Sequence, residues 1–390
     1  MLKYSVGLDV SGKKIDGCIS VIDTNQKVIV KSSIVFSNDL KGFKTLENWI
    51  LKHYKQKNIP LVICIEATGI YYESCALYLF EKKFNVSVVL PNKAKQYFQA
   101  IGLKSKNDTI DARGLAQMGA ERCLRTWQPL AKYFYQLRLY TRQHQNLQEQ
   151  KTVINNQLKS LKCGMYVDKK IIKQLEKLIS IFDKQLIEVD NLIKIQIKSN
   201  ENIQRNADNI CKIKGIGILT FATIIAETNG FELFENSKQL VSYAGFDVVE
   251  NQSGSTFGRT RISKKGNSRI RRALFMPAFT VITYKQKPFI DLLERTLVKH
   301  NIKMKSYVAV QKKILKIIYC LWKNNEAYDP NFQGNIQEEE QKFSSRAGGF
   351  AEDIFEKISP NQVEAKQGKH PVNYRKKLPL GKTNIKKISI

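Results

Sequence analysis

The chain has 390 residues, enough for more than one hydrophobic core, and its 43% hydrophobic and 10% aromatic content is that of a globular protein rather than a disordered one. Its formal net charge of +29 suits a polyanionic partner, nucleic acid first of all. No apolar run reaches the ~18 residues of a membrane span, residues 1–14 lack the layout of a signal peptide, and the seven cysteines and four histidines are scattered without a CxxC pair, which argues against zinc and disulfides and fits a reducing cytoplasm.

From the N-terminus, Tyr4-Ser5-Val6-Gly7-Leu8-Asp9-Val10 alternates apolar with small or polar residues, the period of a strand. Gly12-Lys13-Lys14 reads as a turn, 15–22 as a returning strand, Asn25-Gln26 as a second turn and 27–36 as a third strand, together a β-meander. Asn38 or Asp39 then caps a helix whose apolar face carries Leu40, Phe43, Leu46, Trp49 and Ile50. The apolar run 61–65 predicts a strand buried on both faces, and a helix over about 70–82 and a strand over 86–90 follow. This is the plan of a ribonuclease-H-like domain, expected over residues 1–130; actin-like ATPases share it.

Over 131–205 the period changes. Tyr140, Leu147, Ile154, Leu158 and Leu161 fit a heptad that His144 and Lys151 interrupt. After Cys163-Gly164, Leu175, Ile179, Phe182, Leu186, Val189 and Ile193 are spaced 4-3-4-3-4, a coiled-coil seam. Two long helices are expected, hairpinned, dimerising, or bundled against their own domain. Residues 206–325 read as an α-rich domain. Residues 326–390, with the run Glu338-Glu339-Glu340 and a Lys/Arg-rich end, read as a mostly disordered basic tail.

Four carboxylates stand out. Asp9 shares a strand face with Gly7 and Ser11, Glu66 directly follows the apolar strand, and Asp108 and Asp111 open a helix on one face, with Asp108 placed to cap it. In a ribonuclease-H-like sheet Asp9 and Glu66 meet at adjacent strand ends, and the helix brings the other two acids over that edge. Oxygen donors without nearby His or Cys suit Mg²⁺ or Mn²⁺, and two such ions can clamp a phosphodiester. Taken singly, each acid could equally be a turn former, a cap or an ion-pair partner.

A second cluster runs from Gly245 to Asn267. Glycines flank Ser253 and Ser255; Arg259, Arg261, Lys264 and Lys265 follow, and Asn267 or Ser268 caps a helix carrying Arg269, Arg271 and Arg272. Arginines at this density grip phosphate, and a serine among them either attacks a phosphodiester or merely hydrogen-bonds it. Upstream, Lys214, Gly215 and Gly217 sit in Ile213-Lys214-Gly215-Ile216-Gly217, which looks like a helix-hairpin-helix turn able to present N–H groups to DNA phosphate, or a plain tight turn.

In chain order, Gly7-Leu8-Asp9-Val10-Ser11, Glu66-Ala67-Thr68-Gly69, Lys106-Asn107-Asp108-Thr109-Ile110-Asp111-Ala112, Lys214-Gly215-Ile216-Gly217 and the run from Ser253-Gly254 to Arg261-Ile262-Ser263-Lys264-Lys265-Gly266-Asn267 resemble the DEDD-type transposases of the insertion-sequence one-hundred-and-ten family, relatives of the Piv DNA invertases. The resemblance covers about residues 3–325. It implies a RuvC-like N-terminal domain whose metal-binding tetrad is Asp9, Glu66, Asp108 and Asp111. It also implies a C-terminal transposase domain whose serine nucleophile falls on Ser253, with Ser255 as fallback. Serine and acids would meet across subunits of a homo-dimer or tetramer, acting on element-end and target DNA through a circular intermediate. A structured bridge RNA would act as guide, and the setting would be the nucleoid of a bacterial or archaeal cell. One departure is Lys106-Asn107-Asp108 where the family carries Lys-Thr-Asp, a change that leaves the carboxylate in place.

Other readings differ in what they require. An actin-like sugar kinase or ATPase needs a duplicated domain with a second phosphate loop, which the sequence lacks. A RuvC-type junction endonuclease cutting with metal-activated water tolerates loss of Ser253, and a non-catalytic nucleic-acid scaffold tolerates loss of the acids.

Overall fold

The computed structural model describes residues 1–330 apart from 104, 106, 255 and 259. Strands β1 (Lys3–Val10), β2 (Lys14–Ile22) and β3 (Val28–Ser37) form the antiparallel meander. Helix α1 (Leu40–His53), β4 (Leu61–Glu66), α2 (Glu73–Glu81), β5 (Val86–Val89) and α3 (Pro91–Ala100) follow. The strand order is β3-β2-β1-β4-β5, with β4 parallel to β1 and β5 parallel to β4, the order of the ribonuclease-H-like plan expected from the sequence. Asp39 rather than Asn38 caps α1, accepting from the Gly42 N–H at 2.7 Å; Phe43, Leu46, Trp49 and Ile50 are buried as the helical spacing predicts, whereas Leu40, expected on the same face, is exposed at the first helical position.

The two faces of β1 are used differently. Val6, Leu8 and Val10 pack with α1 and α2. Gly7, on the other face, meets helix α4 (Asp108–Glu121), where a Cβ would stand 2.1 Å from the Ala112 carbonyl oxygen and 2.2 Å from the Ala116 nitrogen. Ala112, Ala116 and Cys18 fill the same narrow seam. Small residues on both sides therefore let the helix backbone lie against the sheet backbone. The cap of α4 is Asn107, whose side chain accepts from the Ile110 N–H at 2.8 Å, and not Asp108, the expected cap. Both residue types are competent caps, and the turn geometry selects the earlier one.

Helices α5 (Lys132–Lys162) and α6 (Lys169–Lys198) pack antiparallel as a hairpin, with Leu147, Leu158, Leu175, Leu186, Val189 and Ile193 buried along them. The two polar residues that interrupt the α5 heptad have partners on α6: His144 Nε2 lies 3.4 Å from Asp190, and Lys151 pairs with Asp183. A second core, built around Phe221, Phe231, Phe246 and Phe289, gathers α7 (Glu201–Ile210), α8 (Ile218–Thr228) and α9 (Ser237–Tyr243). The chain then forms short strands β6 (Val248–Val249), β7 (Gln252–Ser253), β8 (Thr256–Phe257) and β9 (Arg261–Ile262), and helices α10 (Ser268–Ala273), α11 (Phe275–Thr283), α12 (Lys287–His300) and α13 (Lys303–Asn324).

Tyr328 is buried, stacks on Phe289 and donates its N–H to the Asn209 carbonyl at 3.3 Å, so the packed body runs past residue 326, where the sequence pattern begins the tail. Residues 331–390, the rest of that segment, lie outside the described residues. Among the described residues no helix is long and apolar enough to cross a membrane. Cys18, Cys64 and Cys75 are buried, whereas Cys123, Cys163 and Cys320 are exposed.

Candidate active site

The sheet register and α4 bring the acids to one edge. Leu8 pairs with Ile65, so the next step along these parallel strands sets Asp9 beside Glu66 at their C-terminal ends. Helix α4, held against Gly7, carries Asp108 and Asp111 in its first turn over the same edge. Electrostatics report the convergence: the Asp9 carboxyl is raised to about 6 from its ordinary 3.8, first by burial and then by the charges of Asp108, Glu66, Asp111 and Asp16. An acid crowded in this way ionises at a cost that a cation would remove.

Asp16 is a fifth carboxylate, one that the sequence pattern did not single out. It faces Asp9 directly across the β1–β2 ladder and is buried, with Thr109 Oγ1 of α4 donating to it at 3.3 Å. Pairing outward from the Gly12-Lys13 turn would have put it opposite Asp9. Lys14 reaches into the cluster, its Nζ 2.6 Å from Asp108 Oδ2 and 3.2 Å from Asp16 Oδ2, and Asp108 followed by Asp16 raises the ammonium pKa.

The side chains gathered here would suit a hard divalent cation: the acids offer carboxylate oxygens, and the cluster carries a net negative charge. Among the described residues no three such groups stand close enough to hold an ion as they are placed. Lys14 already engages one oxygen of Asp108.

Ser253 belongs to a hairpin on the other core. Strands β7 and β8 pair Ser253 with Thr256 across a turn in which Gly254 has φ +55°, a left-handed conformation glycine adopts without strain, and Ser253 is exposed. Ser255 and Arg259 lie outside the described residues. Beneath the hairpin, β6 pairs with β9, and Arg261, Lys264 and Lys265 are exposed.

The arginine helix is less open than the sequence suggests. Arg271 turns inward and donates from Nη1 to the Ala244 carbonyl at 2.8 Å, with burial pushing its pKa down. Arg272 is half exposed and ion-paired to Glu149 of α5, and the Nε of Arg269 is buried with no hydrogen-bond partner among the described residues. In the turn before α8, Gly215 has φ +110° and abuts Thr280, where a Cβ would come within 2.9 Å, while Gly217 is open and caps α8. Lys214 sits with its Nζ 5.6 Å from the centre of the Tyr284 ring, and its carbonyl accepts from Gln286 at 2.7 Å.

Known proteins match both halves of this arrangement. The sequence model of DEDD transposases of the IS110 type matches residues 6–162, and that of the Transposase IS116/IS110/IS902 family matches residues 207–293. The pilin gene-inverting protein of Moraxella bovis is 28% identical over 331 residues, 84% of this chain and 98% of that one. The transposase for insertion sequence element IS1111A of Coxiella burnetii is 26% identical over 148 residues, 37% of this chain and 40% of that one. A Thermus thermophilus RuvC structure is 12% identical, with a TM-score of 0.26 over 32% of this chain and 99% of that one. With one family model falling on the acid-bearing half and the other on the serine-bearing half, the chain belongs to the IS110 family of DEDD transposases and is a DNA recombinase.

Proposed function

We propose that the chain exchanges DNA strands with Ser253 as nucleophile and Asp9, Glu66, Asp108 and Asp111 as the holders of Mg²⁺ or Mn²⁺. The observation that carries this reading is the convergence of the tetrad on one sheet edge, registered in the raised Asp9 carboxyl. Bound there, the ion would neutralise charge on the scissile phosphate and on the departing oxygen. The Ser253 Oγ forms the new bond to phosphorus as the bond to the leaving oxygen breaks, and the serine proton passes to a carboxylate or to solvent while the leaving oxygen takes one up. The phosphoserine ester conserves the bond energy, so rejoining needs no ATP. Exposed Arg261, Lys264 and Lys265 would hold the flanking phosphates.

Ser253 and the acids are carried by different cores, which favours a site completed between subunits of a dimer or tetramer, with the α5–α6 hairpin as a coiled-coil contact. The high positive charge and the family resemblance support a structured guide RNA alongside DNA.

The test is to incubate the protein with element-end DNA, flanking RNA and Mg²⁺. A denaturant-resistant protein–DNA adduct mapping to Ser253 is expected, absent in Ser253→Ala and in Asp9→Asn. Cleavage by Ser253→Ala with an adduct mapping to Ser255 would move the nucleophile there, cleavage with no adduct would establish water instead, and dependence on the RNA is read from the same reaction with the RNA omitted.

A further inference from the structure

One charged group deep in the second core takes no part in this chemistry. Glu227, near the end of α8, has a fully buried carboxylate. Arg142 of α5 grips it with two bonds, Nε to Oε1 at 2.7 Å and Nη2 to Oε2 at 3.0 Å, and Arg138 Nε stands 3.4 Å from Oε2. The third partner is Asn267, whose Nδ2 donates to Oε2 at 2.8 Å. Burial pushes the carboxyl pKa up, but the two guanidiniums and Asn267 outweigh it and hold it below the ordinary value.

Asn267 is the cap of α10: its Oδ1 accepts from the N–H groups of Arg269 and Ile270 at 3.0 and 3.3 Å, and its own N–H donates to the Tyr243 carbonyl at 2.7 Å. The Tyr243 hydroxyl in turn donates to the Glu227 carbonyl at 3.1 Å. The end of the serine-bearing segment and the start of the arginine helix are thus tied to α5 through one carboxylate. The same face of α5 carries further ties at helical spacing. The Tyr135 hydroxyl donates to Glu73 at 2.8 Å, on the helix that follows the Glu66 loop, and Glu149 pairs with Arg272 of α10.

We propose that Glu227 is a positioning residue that fixes the serine segment and the arginine helix on α5, the helix that also contacts the acid-bearing domain. Its effect on strand joining rests on the serine reading above; its effect on α10 does not. A buried carboxylate with bidentate and amide partners has one geometry that satisfies all of them, so it fixes orientation rather than simply adding cohesion. Glu227→Gln cannot accept at both ends of its side chain and leaves one partner unmet.

Two variants are measured, Glu227→Gln and Asn267→Ala, and their double mutant. Backbone hydrogen exchange over 266–274 should quicken about fivefold in each, the loss of a cap worth about 1 kcal/mol, with exchange over 3–10 unchanged. The double mutant should be no faster than Asn267→Ala alone, because Glu227 reaches α10 through Asn267, which also caps that helix. The single-turnover rate of strand joining should fall about tenfold while affinity for element-end DNA stays within about twofold, a loss of placement rather than of binding. Unchanged exchange over 266–274 would overturn the proposal, as would additive effects in the double mutant or a loosening spread equally over the whole chain. If Ser253→Ala still joins strands and forms no adduct at Ser255, the serine reading fails, yet the exchange experiment still decides the role of Glu227.

Discussion

Replacing Asp9 with Asn should abolish strand exchange and, in the absence of divalent cation, make the protein more stable. The folded-state carboxyl titrates at about 6 against 3.8 when unconstrained. A tenfold change in an acid's ionisation constant is worth about 1.4 kcal/mol, so ionising Asp9 in the fold costs up to about 3 kcal/mol. The side chain is partly open to solvent, which screens the repulsion and leaves about 1–2 kcal/mol. The sign follows from the direction of the change: an acid with a raised folded pKa exacts no penalty below about pH 4, where it is protonated in both states. The penalty grows through pH 6 and is complete above it. Asn carries no charge to repel. Calorimetric melting in chelator should therefore place the variant about 1–3 °C above wild type at pH 8 and level with it near pH 4. Added Mg²⁺ should raise the wild-type midpoint and leave the variant where it was. A variant no more stable than wild type at pH 8, or equally stabilised at pH 4, would refute the account of a crowded, cation-seeking cluster.

Gly7→Ala should destabilise by about 1–3 kcal/mol in chemical denaturation and cost strand exchange besides, because the added methyl meets the α4 backbone; wild-type stability would show that α4 can slide. Arg261→Ala and Lys264→Ala should each reduce the slope of log affinity for DNA against log salt by about 1 if they contact phosphate. Arg271→Ala should instead lower the melting temperature with little change in that slope, since its guanidinium is spent on the Ala244 carbonyl; a phosphate-like slope change there would reverse the assignment. Asp16→Asn should free Lys14 to pair with Asp108 alone and weaken the Mg²⁺-induced rise in melting temperature, and an unaltered rise would remove Asp16 from the cluster.

The meander and the first two acids were legible because a two-residue period fixes both strand and face, and Asp9 and Glu66 end adjacent strands. The placement of α4 over that edge followed from the fold plan and not from the helix itself, whose contact face of glycine and alanine leaves no amphipathic stripe to read. His144 and Lys151 looked like flaws in a heptad because their partners, Asp190 and Asp183, are identified only once the helices fold back antiparallel. The same holds for the arginine helix. A run of basic residues reads as a solvated, ligand-facing surface, yet Arg271 and Arg272 face a carbonyl and a carboxylate on elements remote in sequence. Glu227 gave no signal at all, since a lone acid in an apolar helix declares its role only through the three side chains that converge on it.

Gly7 fixes the distance between the helix-borne and strand-borne acids by main-chain contact. Side chains deep in the domain can change volume over evolutionary time, and the helix can only rest on the same floor. The spacing of the carboxylates is thereby insulated from drift in the surrounding interior, so sequences far apart in their apolar residues can keep one arrangement of acids as long as this one position stays without a side chain.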